Sequence, residues 1–526
     1  MSLTLWAATI PMMIAVGLWP SSAATQELAV SGQTPLADTQ EIELIYAGDQ
    51  SVPKIIVRGP QPANSFVSSS HRPSEQRVNL LSSAGAGQPV GSCQARHEQS
   101  VPPLLVRFDH NGTSPCGFVW SLQQTNTPLD ALSFQALRVR GSTSSPLTIE
   151  LVDDSAGERQ HAVVVGGIAG RFDVEVSLAP AARTIDLRRL TQVKLSVEDA
   201  AEVVLEECVL LNREPTILPT PSLGFWYWDY QSAIRDPDGM VAACRQDHCR
   251  RLFLQLPDLR DSDQIWAAYA KLFPLGKAAG IELFALDGAP DMIDHPTILT
   301  DKLARLLALL GSGELPGMQL DIEPYLLDGF PDDDTIFDRY LATITRVKAA
   351  LYGQGRLSVV MPFWFTSTIH QRRPIAFAVM DAADEVAVMS YRTDVEELVA
   401  ISEDALRYGG LEGVPVWLAM ETTRLLPERH VLLKRERNPS LADGILDPLR
   451  RMLTLRRPTQ ADRQGKAGMW FRIHHHTTVR PERISFADRT QHEVRQAIHH
   501  VFSRIRTPSF SGLLIHDLPG YRGLQE

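Results

Sequence analysis

Residues 317–325 read GMQLDIEPY, an apolar run that ends in two carboxylates one residue apart, Asp321 and Glu323. Alternate residues of a strand share a face, so Gln319, Asp321 and Glu323 point to one side. Burying acids together is costly unless their shifted protonation is the purpose. The chemistry such a pair suits is acid–base cleavage of a glycosidic bond. One carboxylic acid protonates the leaving oxygen, and a second group stabilises or attacks the oxocarbenium-like centre. Glu323 is the natural acid, and Asp321 raises its pKa by like-charge repulsion and can share a proton with it. Glu421, in LAMETT, is the candidate nucleophile. A separation near 5 Å between the two glutamates would imply retention of configuration.

A scaffold has to bring these acids together. From residue 223 the chain alternates apolar runs with amphipathic stretches: GFWYWDY (224–230), RLFLQLP (251–257), IELFALD (281–287), GMQLDIE (317–323), LSVVMPF (357–363), EVAVMSY (385–391), PVWLAME (415–421) and GLLIHD (512–517). Eight such strands with helices between them predict an α/β fold, a TIM (β/α)8 barrel. Using GMWFRIHHH, within an insertion at about 424–487, as the seventh strand is the alternative register. The C-terminal strand ends form the functional rim of such a barrel. They gather Asp229, Asp287, Tyr391, Glu421, His516 and Asp517 around the acids, with Trp226, Trp228, Phe363 and Trp364.

Each rim residue has a plain structural alternative. Trp226 and Trp228 share a face and either stack on sugar rings or pack in the core. Tyr391 either hydrogen-bonds a substrate oxygen or caps the rim, and His516 and Asp517 either orient water or substrate or form a structural pair. For Glu323 the alternative is a salt bridge to Arg392, and for Glu421 a solvated loop position. The HHH at 474–476 is a solvated hairpin rather than a metal site, because adjacent strand residues face opposite ways. No metal or organic cofactor is required by this chemistry.

The rest of the chain sets the context. Its 526 residues call for two or three domains, and 44% hydrophobic with 21% charged residues describes a globular protein. The net charge of −11 argues against a nucleic-acid partner. Residues 1–24 have a signal-peptide shape without a basic start, predicting a chain exported to the periplasm or beyond, with no membrane span once processed; an uncleaved anchor is the alternative. Residues 25–103 read as a low-order lead-in with one strand-like run, EIELIYA. Short β runs over 104–212 predict a β-sandwich, and the proline-rich segment 213–222 a linker. Cys244 and Cys249 are spaced for a local disulfide; Cys93, Cys116 and Cys208 could supply another. No Walker loop, G-x-S-x-G elbow or H-E-x-x-H helix is present.

Strand four resembles that of the chitinase-like glycoside hydrolase family 18, which ends D-G-x-D-x-D-x-E and carries M-x-Y on strand six. Gly317, Asp321, Glu323, Met389 and Tyr391 match, while Pro316 and Gln319 stand in place of the first two acids. This resemblance implies substrate-assisted cleavage of an N-acetyl sugar, with Asp321 and Tyr391 positioning the acetamido group. Glu323-Pro324 also resembles the N-E-P of the retaining barrel clan, with Ile322 at the asparagine position and Glu421 at that of the nucleophile. The 104–212 segment is similar to jelly-roll carbohydrate-binding domains, through CGFVWSL, ALRVRG, IELVDD and IDLRRLTQVKLSVED. The implied partner is a poly- or oligosaccharide. A barrel that binds glycan without cleaving it is the non-enzymatic alternative.

Overall fold

The computed structural model describes residues 26–526, apart from 31–35, 37–38, 49–52, 59–76, 83–86, 92–93, 98–102, 110–114, 123–127, 155–159, 213–217, 312, 328–329, 331–332, 334 and 457–467. The expected signal segment, Cys93 and half of the expected linker lie outside the described residues.

Eight parallel strands close into a barrel: β1 (Ser222–Tyr227), β2 (Cys249–Gln255), β3 (Glu282–Asp287), β4 (Gly317–Leu320), β5 (Arg356–Pro362), β6 (Glu385–Met389), β7 (Val416–Glu421) and β8 (Phe510–His516). Their residues are almost continuously buried, as strands covered on both faces must be. Each predicted apolar run supplies one strand. GMWFRIHHH does not: it lies in Met469–Val479, antiparallel to Glu428–Arg435.

The expectation of a TIM (β/α)8 barrel preceded by a two-sheet sandwich is corrected. The chain carries two antiparallel sheets beside the closed barrel, and the barrel does not follow a strict strand–helix alternation. Between β7 and β8 come four antiparallel strands, which join Gln26–Ala29, Glu41–Ala47 and Lys54–Arg58 in a seven-stranded sheet. This sheet has its own small core, including Leu28, Leu44, Val431, Leu433, Leu453 and Phe471. The expected sandwich is one hydrogen-bonded nine-stranded sheet built around a long hairpin, Ala136–Asp153 with Gln160–Ser177. The physical reason is that strand pairing is partly non-local: apolar runs reveal strands, whereas one of the two partners of EIELIYA is nearly four hundred residues away.

The nine-stranded sheet docks on the barrel through arginines. Arg188 Nη1 donates to Asp404 Oδ2 at 2.6 Å and to the Thr366 carbonyl at 2.9 Å. Arg407, on helix Val395–Glu412, donates to Ser133 Oγ at 2.8 Å and pairs with Asp130. Cys244 and Cys249 form a disulfide, Cys116 is also disulfide-bonded, and Cys208 is free and buried. Among the described residues no helix is long and apolar enough to cross a membrane.

Candidate active site

The site begins where β4 stops. Beyond Leu320 the Asp321 amide donates to the Asp287 carbonyl at the end of β3, at 3.0 Å. That approach requires Gly288, where a Cβ would lie 2.2 Å from the Asp321 carbonyl oxygen. Pro324 then opens a single 3-10 turn, Pro324–Leu326. The turn swings Tyr325 back so that its hydroxyl donates a short hydrogen bond to Glu323 Oε1. Tyr325 lies in the same nine-residue stretch as the acids, yet the alternation rule failed to reveal its contact. β4 has already ended at Leu320 and Pro324 opens a 3-10 turn, so the residues beyond no longer follow the pleat.

Asp321 Oδ1 is enclosed and accepts no hydrogen bond. Burial, then the Glu323 charge, push the Asp321 carboxyl up to about 7, with His516 opposing. Burial also raises Glu323, opposed by the Tyr325 hydrogen bond and by His516. Adjacent carboxyls that both resist ionisation in this way can hold a shared proton ready for transfer. Arg392 is not the partner of Glu323. It stacks over Phe363 and faces Glu397 instead.

Glu421, at the end of β7, has no exposed surface. Its Oε1 accepts from the Thr423 amide at 2.6 Å and hydroxyl at 2.7 Å, and its Oε2 lies 2.8 Å from His516 Nδ1. It is therefore not a solvated loop acid. Burial would lower the His516 pKa, but the Glu421 hydrogen bond and charge, aided by Asp517 and Asp321, raise it. The carboxylates around the buried imidazole thus favour its charged form. Tyr391 is enclosed beside them, and its hydroxyl pKa is raised by burial and then by Glu421, Asp321 and Glu323.

The remaining predicted residues divide. Trp228 is half-buried with its ring centre 6.2 Å from that of His516, and its Nε1 is enclosed without a hydrogen-bond partner among the described residues. Trp364 is half-buried and packs edge-on to Tyr325 at 5.2 Å. Trp226 instead belongs to the barrel interior, 1% exposed, with Nε1 donating to Gln319 Oε1 at 2.5 Å. Gln319 passes the link on, its Nε2 donating to Ser358 Oγ at 2.9 Å. Asp287 is buried and salt-bridged to Lys302 at 2.6 Å. Asp229 and Asp517 cap short helices through the amides of Ser232 and Gly520. The three histidines at 474–476 are exposed.

No protein-family model matches the sequence, and no curated protein does. Solved structures similar to the chain include glycoside hydrolases and carbohydrate-binding modules. A class V chitinase from Pseudomonas fluorescens Pf-5 is 11% identical, covering 57% of this chain and 96% of its own, with a TM-score of 0.32. Beta-glucosidase 2 from the fungus Trichoderma reesei is 10% identical, covering 57% and 90%, with a TM-score of 0.33. The N-terminal modules of Clostridium thermocellum xylanase 10B, CBM22-1 and GH10, are 9% identical, covering 84% and 90%, with a TM-score of 0.28.

Proposed function

We propose that this protein is an exported glycoside hydrolase acting on a poly- or oligosaccharide, with Glu323 as the general acid/base. The observation that carries the reading is the half-buried Asp321–Glu323 pair just beyond β4, both carboxyls raised and Glu323 tied to Tyr325. A carboxyl whose pKa is raised above the ordinary range is what protonating a leaving sugar oxygen needs.

Two readings of the second group follow. If Glu421 is the nucleophile, the reaction retains configuration through a covalent glycosyl-enzyme. Its carboxylate, however, is fully enclosed with both oxygens engaged, which favours a positioning role through His516. In the reading we favour, the substrate's own acetamido oxygen attacks the anomeric carbon while Glu323 protonates the departing oxygen. Asp321 and Tyr391 hold the acetamido group, and Glu323 then takes a proton from the incoming water. Tyr391 suits this role because its hydroxyl makes no hydrogen bond among the described residues. The nine-stranded sheet would serve as a carbohydrate-binding module.

The test is reducing-end release from a panel of polysaccharides by wild type beside Glu323→Gln. Loss of about 10²–10⁴-fold in the variant is expected. Equal release by both proteins would move the acid elsewhere. Binding without release by either would make the chain a glycan-binding protein.

A further inference from the structure

Arg392 follows Tyr391 at the end of β6 and is only 9% exposed. A buried guanidinium ordinarily has a carboxylate in hydrogen-bond contact, because an unpaired charge away from water is costly. The other enclosed arginines obey this rule: Arg251 reaches Glu385 at 2.6 Å, and Arg188 reaches Asp404 at 2.6 Å and Asp186 at 2.8 Å. Arg392 does not. Its Nη1 donates to the Tyr391 carbonyl at 2.7 Å, and its nearest carboxylate oxygen, Glu397 Oε2, is 3.8 Å from Nε, too far for a hydrogen bond. The other oxygen of Glu397 is taken by Arg483 through a short contact. One glutamate thus faces two arginines, leaving one positive charge uncompensated.

That charge is not committed to the catalytic acids, since Asp321 and Glu323 respond to His516 and not to Arg392. Burial and Arg483 hold the Arg392 pKa below its ordinary value, the sign of an under-paired cation. Among the described residues Nε and Nη2 donate to no hydrogen-bond partner, and neither is fully enclosed. Phe363 covers one face of the guanidinium, its ring centre 5.1 Å away. The next residue, Trp364, packs on Tyr325, which holds Glu323. The position is fixed from the other side, where the Thr393 amide donates to the Arg483 carbonyl at 3.0 Å and the Thr393 hydroxyl to that of Glu482 at 2.8 Å.

We propose that Arg392 is a specificity-determining residue that binds a carboxylate carried by the glycan, so that the substrate is a uronic-acid-containing rather than a neutral polymer. A guanidinium fork matches a carboxylate geometrically, and a rigid aromatic wall beside it suits the sugar ring that bears the acid. The inference rests on the glycan-cleaving reading for its setting, but its test does not depend on turnover.

Calorimetric titration of the full chain bearing Glu323→Gln would compare a tetrasaccharide alternating N-acetylhexosamine and uronic acid with its carboxyl-reduced counterpart. The acidic form should bind about tenfold tighter or more, the effect of one charge-assisted contact. Adding Arg392→Gln should erase the preference while leaving the neutral ligand unaffected. Because Arg392→Gln could weaken folding, Glu397→Gln is the second variant: removing the competing carboxylate should strengthen the acidic preference, which a merely structural Arg392 would not do. Equal binding of both ligands, or a preference indifferent to both substitutions, overturns the proposal. So does a preference for sulfated over carboxylated oligosaccharide. A preference that persists when wild type cleaves no glycan would sink the hydrolase reading and leave the subsite standing.

Discussion

His516 Nδ1 stands 2.8 Å from Glu421 Oε2, across the register that pairs these two residues at the ends of β8 and β7. Both are buried, and Thr423 fills the other oxygen of the glutamate. The pair therefore sets where the imidazole lies relative to Asp321. Removing one partner strands the other charge, so His516→Ala should cost about 3–5 kcal/mol in chemical denaturation. Glu421→Gln keeps the shape and tests the role. A positioning residue loses only part of its turnover, whereas a nucleophile loses nearly all and is rescued by azide with inversion. Azide rescue would return the assignment to direct attack.

The acid pair predicts a displaced pH profile. If one proton must stay on Asp321–Glu323, kcat/KM falls as pH rises through the raised carboxyl values, near 7 for Asp321. Asp321→Asn removes the like charge beside Glu323, so the alkaline limb should move down while remaining above the ordinary carboxylate range, because burial persists. A limb that does not move would mean the two acids are not coupled. The same shift acts on stability. A carboxyl raised by folding loses stability as pH climbs from its unfolded value, 3.8, through about 7. Asp321→Asn should accordingly raise Tm at pH 8 and leave it nearly unchanged at pH 3.

Trp228 carries an enclosed N–H without a hydrogen-bond partner among the described residues, beside His516. Trp228→Phe keeps an aromatic face and deletes the N–H, so KM should rise about tenfold with kcat nearly unchanged if that donor binds a substrate oxygen in ground and transition states alike. An unchanged KM would assign Trp228 to packing against His516.

His430 ties the N-terminal strand Glu41–Ala47 to the inserted strand Glu428–Arg435. Its Nδ1 is 3.0 Å from Glu43 Oε1 and its Nε2 is 3.3 Å from Glu428 Oε2. Burial opposes its charge, but the two glutamates outweigh burial and raise its pKa from 6.5 to about 9. The stabilisation is complete below about pH 6.5 and is lost as pH rises through about 9. His430→Gln should cost on the order of 3 kcal/mol at pH 6 and little at pH 10. Amide exchange of the two strands reads this directly, and equal exchange at both pH values would refute it.

Much of the chemistry was legible because it is local. The run GMQLDIE carries its strand and both acids within seven residues, and the strand period alone puts Asp321 and Glu323 on one side. Eight buried parallel strands each left an apolar run, so the barrel strands could be read one by one. The spacing of Cys244 and Cys249 anticipated their disulfide. What lay beyond reach depends on contacts between distant segments. Trp226 and Trp228 look alike in sequence and both border His516, yet one is fully buried and donates to Gln319 while the other is half-buried. Asp287 and Glu421 both end strands as candidate acids, but tertiary structure gives the first a lysine salt bridge and the second a histidine. The seven-stranded sheet joins residues near 41 to residues near 430, a pairing no local pattern records. Sequence thus determined which residues could do chemistry. Tertiary structure decided which of them are desolvated and which neighbouring charges they meet, because burial and pairing across the fold are what shift a proton.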